Sequence, residues 1–286
     1  MGKTLAFLGP RGTFTEEAAR SFPIAEEVQR QPLASVIDVL QAVASGRVDL
    51  GVVPLENSIE GSVNATLDWL IHQEDDLPIL AELALPITQH LLVAKRPEPL
   101  PLGRITKVLS HPHAIAQCHH FLQKHLPEVE IEYTNSTAMA AKMVSEAPDQ
   151  PWAAIGTKLN TELYPLVLAE ESIQDFSNNY TKFILVGKES VPLPVSEQEK
   201  TTVLVTLPED FPGALYQALA AFAWRKINLS RIESRPTKKG LGSYHFILDI
   251  EQKVDDVLLP GAFAEIEALG CQIRQLGSYP FFLHRS

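Results

Sequence analysis

Cysteine is scarce in this chain: 286 residues carry two, Cys118 and Cys271, far apart. Two isolated thiols make no disulfide framework, so a reducing cytoplasm is the expected compartment. Positive charge is also short. Lys and Arg number 24 against 35 Asp and Glu, a formal net charge of −11. No basic tract or face stands out, which argues against a nucleic-acid partner. Long apolar runs are missing, and nothing approaches the roughly 20 residues of a membrane span. The first run, Leu5–Leu8, turns polar too soon for a signal segment and reads as a first strand. No G-x-G-x-x-G, P-loop or nucleophile elbow is present. The stretch GPRG at 9–12 looks like a phosphate loop but lacks the Lys-Ser/Thr pair.

What remains is an ordinary globular composition, 45% apolar and 21% charged, long enough for two or three compact units. Up to residue 187, apolar strands alternate with helical patterns. Strands are expected at Leu5–Leu8, Leu50–Val53, His90–Ala94, Lys107–Leu109, Glu130–Tyr133, Trp152–Ile155 and Lys182–Val186. Helices are expected around Glu16–Ser21, Ser35–Ala44, Val63–Ile71, Ile115–Leu126 and Ala138–Val144. Such alternation predicts an α/β unit with a mainly parallel sheet. Residues 188–200, KESVPLPVSEQEK, read as a linker, with two prolines and five charges. Residues 201–280 then give β-α-β-β-α-β, the ferredoxin-like order.

One event recurs in the first region. A strand ends, and small polar residues appear where the next helix begins: GPRGTFTEE, ENSIEGS, SHPHA, NSTA and GTK. Thr13 with Glu16 fits a capping box, and Ser136 is a good N-cap. Pro112 falls at a first helical position, where its missing N–H costs nothing. In a parallel sheet these turns share the carboxyl edge. Helix N-termini there present free N–H groups and a partial positive charge, so together they form an anion site without many lysines. Each turn alone is also explained as a simple cap. Within VVPLENSIEGSV (52–63), Pro54 is expected to stop the strand, with Asn57 and Ser58 facing the ligand.

Other features carry less. The five histidines from His111 to His125 lack metal-ligand spacing and read as surface or cap groups. Cys118 fits the buried side of an amphipathic helix, and Met139 with Met143 a core stripe. NNYTKF (178–183) places a hydroxyl, Thr181, and a cation, Lys182, where the chain re-enters a strand; a plain polar turn explains it equally well.

Taken in order, GPRGTFTEEAA (9–19), VVPLENSIEGSV (52–63), SHPHAIAQC (110–118), NSTAMAA (135–141) and NNYTKF (178–183) resemble prephenate dehydratase, over essentially the whole chain. PGALYQAL (212–219) and NLSRIESRP (228–236) resemble an ACT regulatory domain. The resemblance implies a catalytic region, 1–187, of two α/β lobes like a type II solute-binding protein, with the site between them, and an ACT unit over 201–280. It implies a lyase that makes phenylpyruvate, water and CO2 from the dianion prephenate, with no cofactor and no metal. Thr181, in the family's Thr-Arg-Phe motif, is then the catalytic residue. Lys182 replaces that motif's arginine, keeping the charge but losing the bidentate fork. Thr13, Asn57, Ser58, Ser110, Ser136, Thr137 and Lys182 are the expected substrate contacts. Glu56 is either an acid, if buried, or structural. Phenylalanine is the expected effector, held by Gly213, Ala214, Leu215, Asn228, Leu229, Ile232, Glu233 and Ser234 in a homodimer or homotetramer, with Glu233 and Arg235 as an alternative structural pair. An arogenate dehydratase and a non-catalytic amino-acid sensor stay open as rivals.

Overall fold

The computed structural model describes residues 2–25, 27–72, 77–209, 211–237, 244–255 and 257–284. Its first lobe runs β1 (Lys3–Leu8), α1 (Phe14–Ser21), β2 (Val28–Leu33), α2 (Val36–Ala44), β3 (Leu50–Asn57), the short β4 (Gly61–Ser62), α3 (Asn64–His72) and β5 (Ile79–Pro86). The chain crosses to a second lobe of β6 (His90–Ala94), β7 (Lys107–Ser110), α4 (Pro112–Gln117), α5 (His119–His125), β8 (Glu130–Tyr133), α6 (Thr137–Glu146), β9 (Trp152–Gly156), α7 (Asn160–Leu163) and β10 (Leu166–Glu170). It returns through β11 (Tyr180–Gly187). The rest is β12 (Gln198–Thr206), α8 (Ala214–Ala223), β13 (Leu229–Pro236), β14 (Tyr244–Ile250), α9 (Leu258–Ala268) and β15 (Gln272–Leu283), the predicted β-α-β-β-α-β order.

Two sheets carry these elements. One has the order β13-β14-β12-β15-β5-β11-β3-β1-β2, with β4 beside β3; the other is β10-β6-β9-β7-β8. The expectation of a mainly parallel sheet needs correcting. β1, β2 and β3 are parallel, as are β7, β8 and β9. Strand β11 returns antiparallel between β3 and β5, and β6 and β10 form an antiparallel edge. The two crossings explain this, because a short return brings the strand back reversed. The polar strand ends therefore lie on two carboxyl edges, one per lobe, that face each other.

Apolar spacing sets the packing. Val36, Val39, Leu40 and Val43 make one stripe of α2, and all are buried on the first sheet. Each such side chain contributes about 1.5–3 kcal/mol of burial. Gly51 lets α2 come close: a Cβ there would stand 2.9 Å from Val43 Cγ2. The same core takes in Leu204, Ile247, Leu276 and Tyr279, so the C-terminal strands share it. β15 also pairs with β5, Phe281 facing Glu82, and the ten-stranded sheet is continuous through both. Within 188–200, Val191 and Leu193 pack on the first lobe, and β12 already begins at Gln198.

Two local expectations change. β3 does not stop at Pro54 but runs to Asn57. Its register with β11 shifts there, with Phe183 opposite Pro54 and Lys182 opposite Glu56, leaving Leu55 extra. Such a bulge accommodates a residue without an N–H. The expected helix over 115–126 breaks at Cys118. Asp175 enters the break: its N–H donates to the Gln117 carbonyl at 2.7 Å, and its carboxylate receives the His120 N–H at 3.1 Å.

Candidate active site

Between the lobes lies a cavity of about 710 Å³, within the usual range for small-molecule sites. The first lobe lines it with Leu8–Pro10, Thr13–Thr15, Asn57, Glu60–Val63, Thr181 and Phe183. The second supplies His111, His113, Ala114, Gln117, Asn135–Thr137 and Met139, and Ile87 and Gln89 stand at the crossing.

Strand alternation decides what β11 presents. Side chains alternate between sheet faces, so Thr181 and Phe183 line the cavity and Lys182 does not. Lys182 Nζ instead meets Glu56 Oε2 at 2.7 Å. The expected substrate cation is thus spent, and Glu56 is its structural partner. Thr181 is buried, and its Oγ1 accepts a hydrogen bond from Asn57 Nδ2 at 2.8 Å. Asn57 also donates to Asn179 Oδ1 at 2.8 Å, and its Oδ1 receives the N–H groups of Ile59 and Glu60 at 2.9 Å. One amide therefore ties the end of β3, the turn after it and the start of β11.

The cap residues divide. Thr13 Oγ1 accepts from Glu16 N–H at 3.3 Å, and Glu16 Oε2 reaches back to Gly12 N–H at 2.7 Å, one residue beyond the usual capping box. Ser136 accepts from Met139 N–H at 3.0 Å. Thr13, Ser136 and Thr137 all line the cavity, at the N-termini of α1 and α6. Ser58 and Ser110 are not among the lining residues. Ser58 is exposed and accepts from Tyr180 N–H at 2.9 Å, which fastens β3 to β11. Ser110 is fully buried and donates to the Ile155 carbonyl at 2.7 Å, because the end of β7 points into the neighbouring strand. Met139 is exposed at the cavity rather than in the core.

Several groups at the site escape sequence reasoning. Gln89 is buried and donates to Gln117 Oε1 at 3.3 Å. Thr157 and Asn160, both fully buried, donate to the Gly12 carbonyl at 3.2 and 3.0 Å and so tie the lobes. Gly12 has φ +88, and a Cβ there would strike Asn160 Oδ1 at 2.1 Å, so glycine is required on both counts. Only the small-residue pattern GPRG hinted at this contact. His111 caps α4, its Nδ1 receiving the His113 N–H at 3.3 Å. Burial, then the neighbouring His113, holds the His111 imidazole below its ordinary pKa, against the pull of Glu60. Burial pushes the Cys118 thiol far up, which leaves it inert. Among the described residues no group of three His, Cys, Asp or Glu side chains converges as a metal site would.

Comparison with known proteins gives the arrangement its context. A family model, "Prephenate dehydratase", matches residues 5–191. A prephenate dehydratase of Bacillus subtilis is 47% identical over 283 residues, 96% of this chain and 98% of that protein. One from Methanocaldococcus jannaschii is 40% identical, covering 99% of this chain and all of that protein. The chain belongs to the prephenate dehydratase family. A solved prephenate dehydratase of Arthrobacter aurescens, in complex with L-Phe, superposes with a TM-score of 0.85 at 40% identity, over 97% of this chain and 90% of the other. The family fold also serves other chemistry: a quorum-quenching acylase superposes at 0.84 with 26% identity over 98% of both chains. Reaction must therefore be argued from the site.

On the C-terminal side the expected effector residues are only partly available. Gly213, with φ +96, caps α8, but the Ala214 N–H is taken by the Phe211 carbonyl at 3.0 Å. Leu215 and Leu229 pack in the core of that unit, and Asn228 donates to Glu251. Glu233 pairs with Arg235 at 3.2 Å and accepts from Ser62 Oγ at 2.6 Å. Ile232 and Ser234 are exposed.

Proposed function

We infer that the chain is a lyase that converts prephenate to phenylpyruvate, water and CO2, with the chemistry centred on Thr181. One observation carries the assignment of residues: the Asn57–Thr181 pair at the wall of a cleft ringed by the starts of α1 and α6. The electron pair of the ring–carboxylate bond moves into the ring as CO2 leaves, and the ring hydroxyl departs from the far end. Aromatisation supplies the driving force. The protein must hold two carboxylates and protonate or hydrogen-bond the leaving oxygen. Thr181 donates to that oxygen and orients it, a contribution of roughly 10²–10⁴-fold. Thr13, Ser136 and Thr137, with the amides around them, hold carboxylate oxygens. A closed cleft favours loss of the ring carboxylate's charge as CO2.

The C-terminal unit, over 201–280, is an ACT-type regulatory unit that takes phenylalanine; the ferredoxin-like order and the phenylalanine-bound relative support this. Gly213, Ile232 and Ser234 are its accessible contacts, and Glu233 is the carboxylate partner for the ammonium. Among the described residues β13 is the edge of the ten-stranded sheet, and its outer backbone is available for assembly with a second copy as a homodimer or homotetramer. No described helix is long and apolar enough to cross a membrane, and the two buried free thiols fit a reducing cytoplasm.

The test is direct. Prephenate mixed with the full chain yields phenylpyruvate, read by absorbance, and an arogenate competition fixes which side chain the cleft prefers. Absence of phenylpyruvate from prephenate would overturn the reading and leave the sensor or acyl-transfer chemistry in its place.

A further inference from the structure

The proposed substrate is a dianion, yet no lysine or arginine is found among the described lining residues of the cavity. Nearby cations are engaged or turned away. Lys182 pairs with Glu56, and Arg20 with Glu16 and Glu162. Arg11 is exposed and outside the lining. The titratable lining groups are Glu60, His111 and His113.

The two histidines are not equivalent. His111 spends its Nδ1 lone pair on the His113 N–H, and burial favours its neutral form. It therefore offers a neutral Nε2–H. His113 stands edge-on to it, ring centroids 4.8 Å apart. His113 Nδ1 faces Glu60 Oε2 at 3.7 Å, across the cleft from the opposite lobe. The other walls add no charge: Thr13, Phe14 and Thr15 come from the α1 side, and Asn135, Ser136 and Thr137 from the α6 side. Glu60 and His111 are thus the titratable groups that face His113.

We propose that His113, as imidazolium, is the cationic partner of a substrate carboxylate, and that Glu60 holds its place until substrate displaces it. This inference rests on the dianion-lyase reading above. A carboxylate already sits opposite His113, so the geometry for that pairing is present in the fold. Exchange of one carboxylate for another keeps the imidazolium paired throughout. It also makes substrate binding depend on the histidine proton. Histidines titrate between about pH 5 and 8. Substrate binding retains the proton, so KM is lowest on the acid side and rises with pH as that proton is lost.

The experiment measures KM and kcat for prephenate from about pH 6 to 9, at fixed ionic strength with the uncatalysed rate subtracted. The chains compared are wild type, His113→Gln, His113→Lys and Glu60→Gln. A charge-assisted contact predicts a KM about tenfold higher in His113→Gln at the acid end, with the pH slope gone. kcat then falls far less than KM rises. His113→Lys restores a low KM that stays flat with pH, and Glu60→Gln lowers KM by removing the competitor. A His113→Gln profile that superimposes on wild type overturns the proposal, as does a wild-type KM that does not rise with pH. Phenylpyruvate formation by wild type at any of these pH values separates this failure from failure of the lyase reading itself.

Discussion

Asn57 Nδ2 donates to Thr181 Oγ1 at 2.8 Å, from a position 124 residues away in the chain. A hydroxyl has one proton to give and two lone pairs. Because one lone pair is taken by Asn57, the Thr181 proton remains available to an acceptor in the cavity that Thr181 lines. In the proposed reaction the amide would set the direction of a hydrogen bond to the leaving oxygen. Thr181→Ala should fold normally and lower kcat by roughly 10²–10⁴-fold, while Thr181→Ser keeps most of it. Asn57→Ala should lower kcat as well and also cost stability, since five contacts end on that side chain. Steady-state kinetics with thermal melts separates the two effects. Near wild-type turnover in Thr181→Ala would remove Thr181 from the chemistry.

Lys182 gives a prediction opposite to the sequence expectation. A carboxylate clamp there would make Lys182→Met lose substrate binding by orders of magnitude. The observed partner is Glu56, and both side chains are 29% exposed. A partly exposed pair of this kind contributes about 1 kcal/mol or less. Lys182→Met should therefore lower stability slightly and leave KM within about threefold of wild type. Lys182→Arg should be close to neutral. A hundredfold rise in KM would return Lys182 to the substrate site.

These two residues show where reading the sequence works and where it stops. Thr13, Ser136 and Pro112 all take the local roles their neighbours suggest, because a cap is decided within one helical turn. Ser58, Ser110 and Lys182 share the same motifs but turn to cross-strand partners, and a partner 45 to 126 positions away leaves no local mark. β2, with the polar sequence VQRQPL, has no apolar run to announce it as the edge strand beside β1. The interlobe ties from Thr157 and Asn160 to Gly12 are equally silent. The motif order gathers several of its residues around one cavity, and strand register chose which of them face inward.

Glu17 on α1 links stability to pH. Burial, then the charge of Glu162 on α7, raises its carboxyl from 4.5 to about 7. Between these values the folded chain holds a proton that the unfolded chain has released. Stability from this group is therefore complete below about pH 4.5 and is lost as pH rises toward 7. Glu17→Gln should remove that loss, on the order of 1–3 kcal/mol, and gain most at pH 8. The difference in Tm between variant and wild type, followed from pH 5 to 8, tests it. A difference that does not change with pH would place Glu17 in water.

A buried polar chain joins the first lobe to the C-terminal strands. Lys200 on β12 meets Glu82 on β5 at 2.6 Å, and the Tyr279 hydroxyl lies 3.4 Å from the same carboxylate. Thr202 connects Tyr279 to Asp249, which pairs with Arg231 at 2.9 Å. Burial, then Asp249 and Glu82, holds the Tyr279 phenol well above its ordinary pKa, so it stays a neutral donor. Removing one member strands a buried charge. Glu82→Leu should cost about 3–5 kcal/mol in urea unfolding, and Glu82→Leu with Lys200→Met should recover much of it. A cost below 1 kcal/mol for the single variant would mean that water reaches the pair.

Among the described residues, Ser62 is the lining residue bonded to the expected effector strand. It donates to Glu233 Oε2 at 2.6 Å, while Glu233 pairs with Arg235 and Arg235 reaches Asn64 Oδ1. β4, which carries Ser62, is only two residues long and is held on its other side by β3 alone. On the proposed reading, an ammonium group that draws on the Glu233 carboxylate would compete with Ser62 for it, so effector binding and the cavity wall would share one acceptor. Coupling of this sort is a free energy and must be reciprocal. Ser62→Ala frees Glu233, so phenylalanine should bind as tightly as before or more tightly by calorimetry. Its effect on KM for prephenate should shrink severalfold, from the 5–150-fold range typical of roughly 1–3 kcal/mol of coupling. Inhibition that is unchanged in Ser62→Ala would show that the signal leaves the C-terminal unit elsewhere, with the Lys200–Glu82 ion pair, which joins β12 to β5 beside β11, as the next route to test.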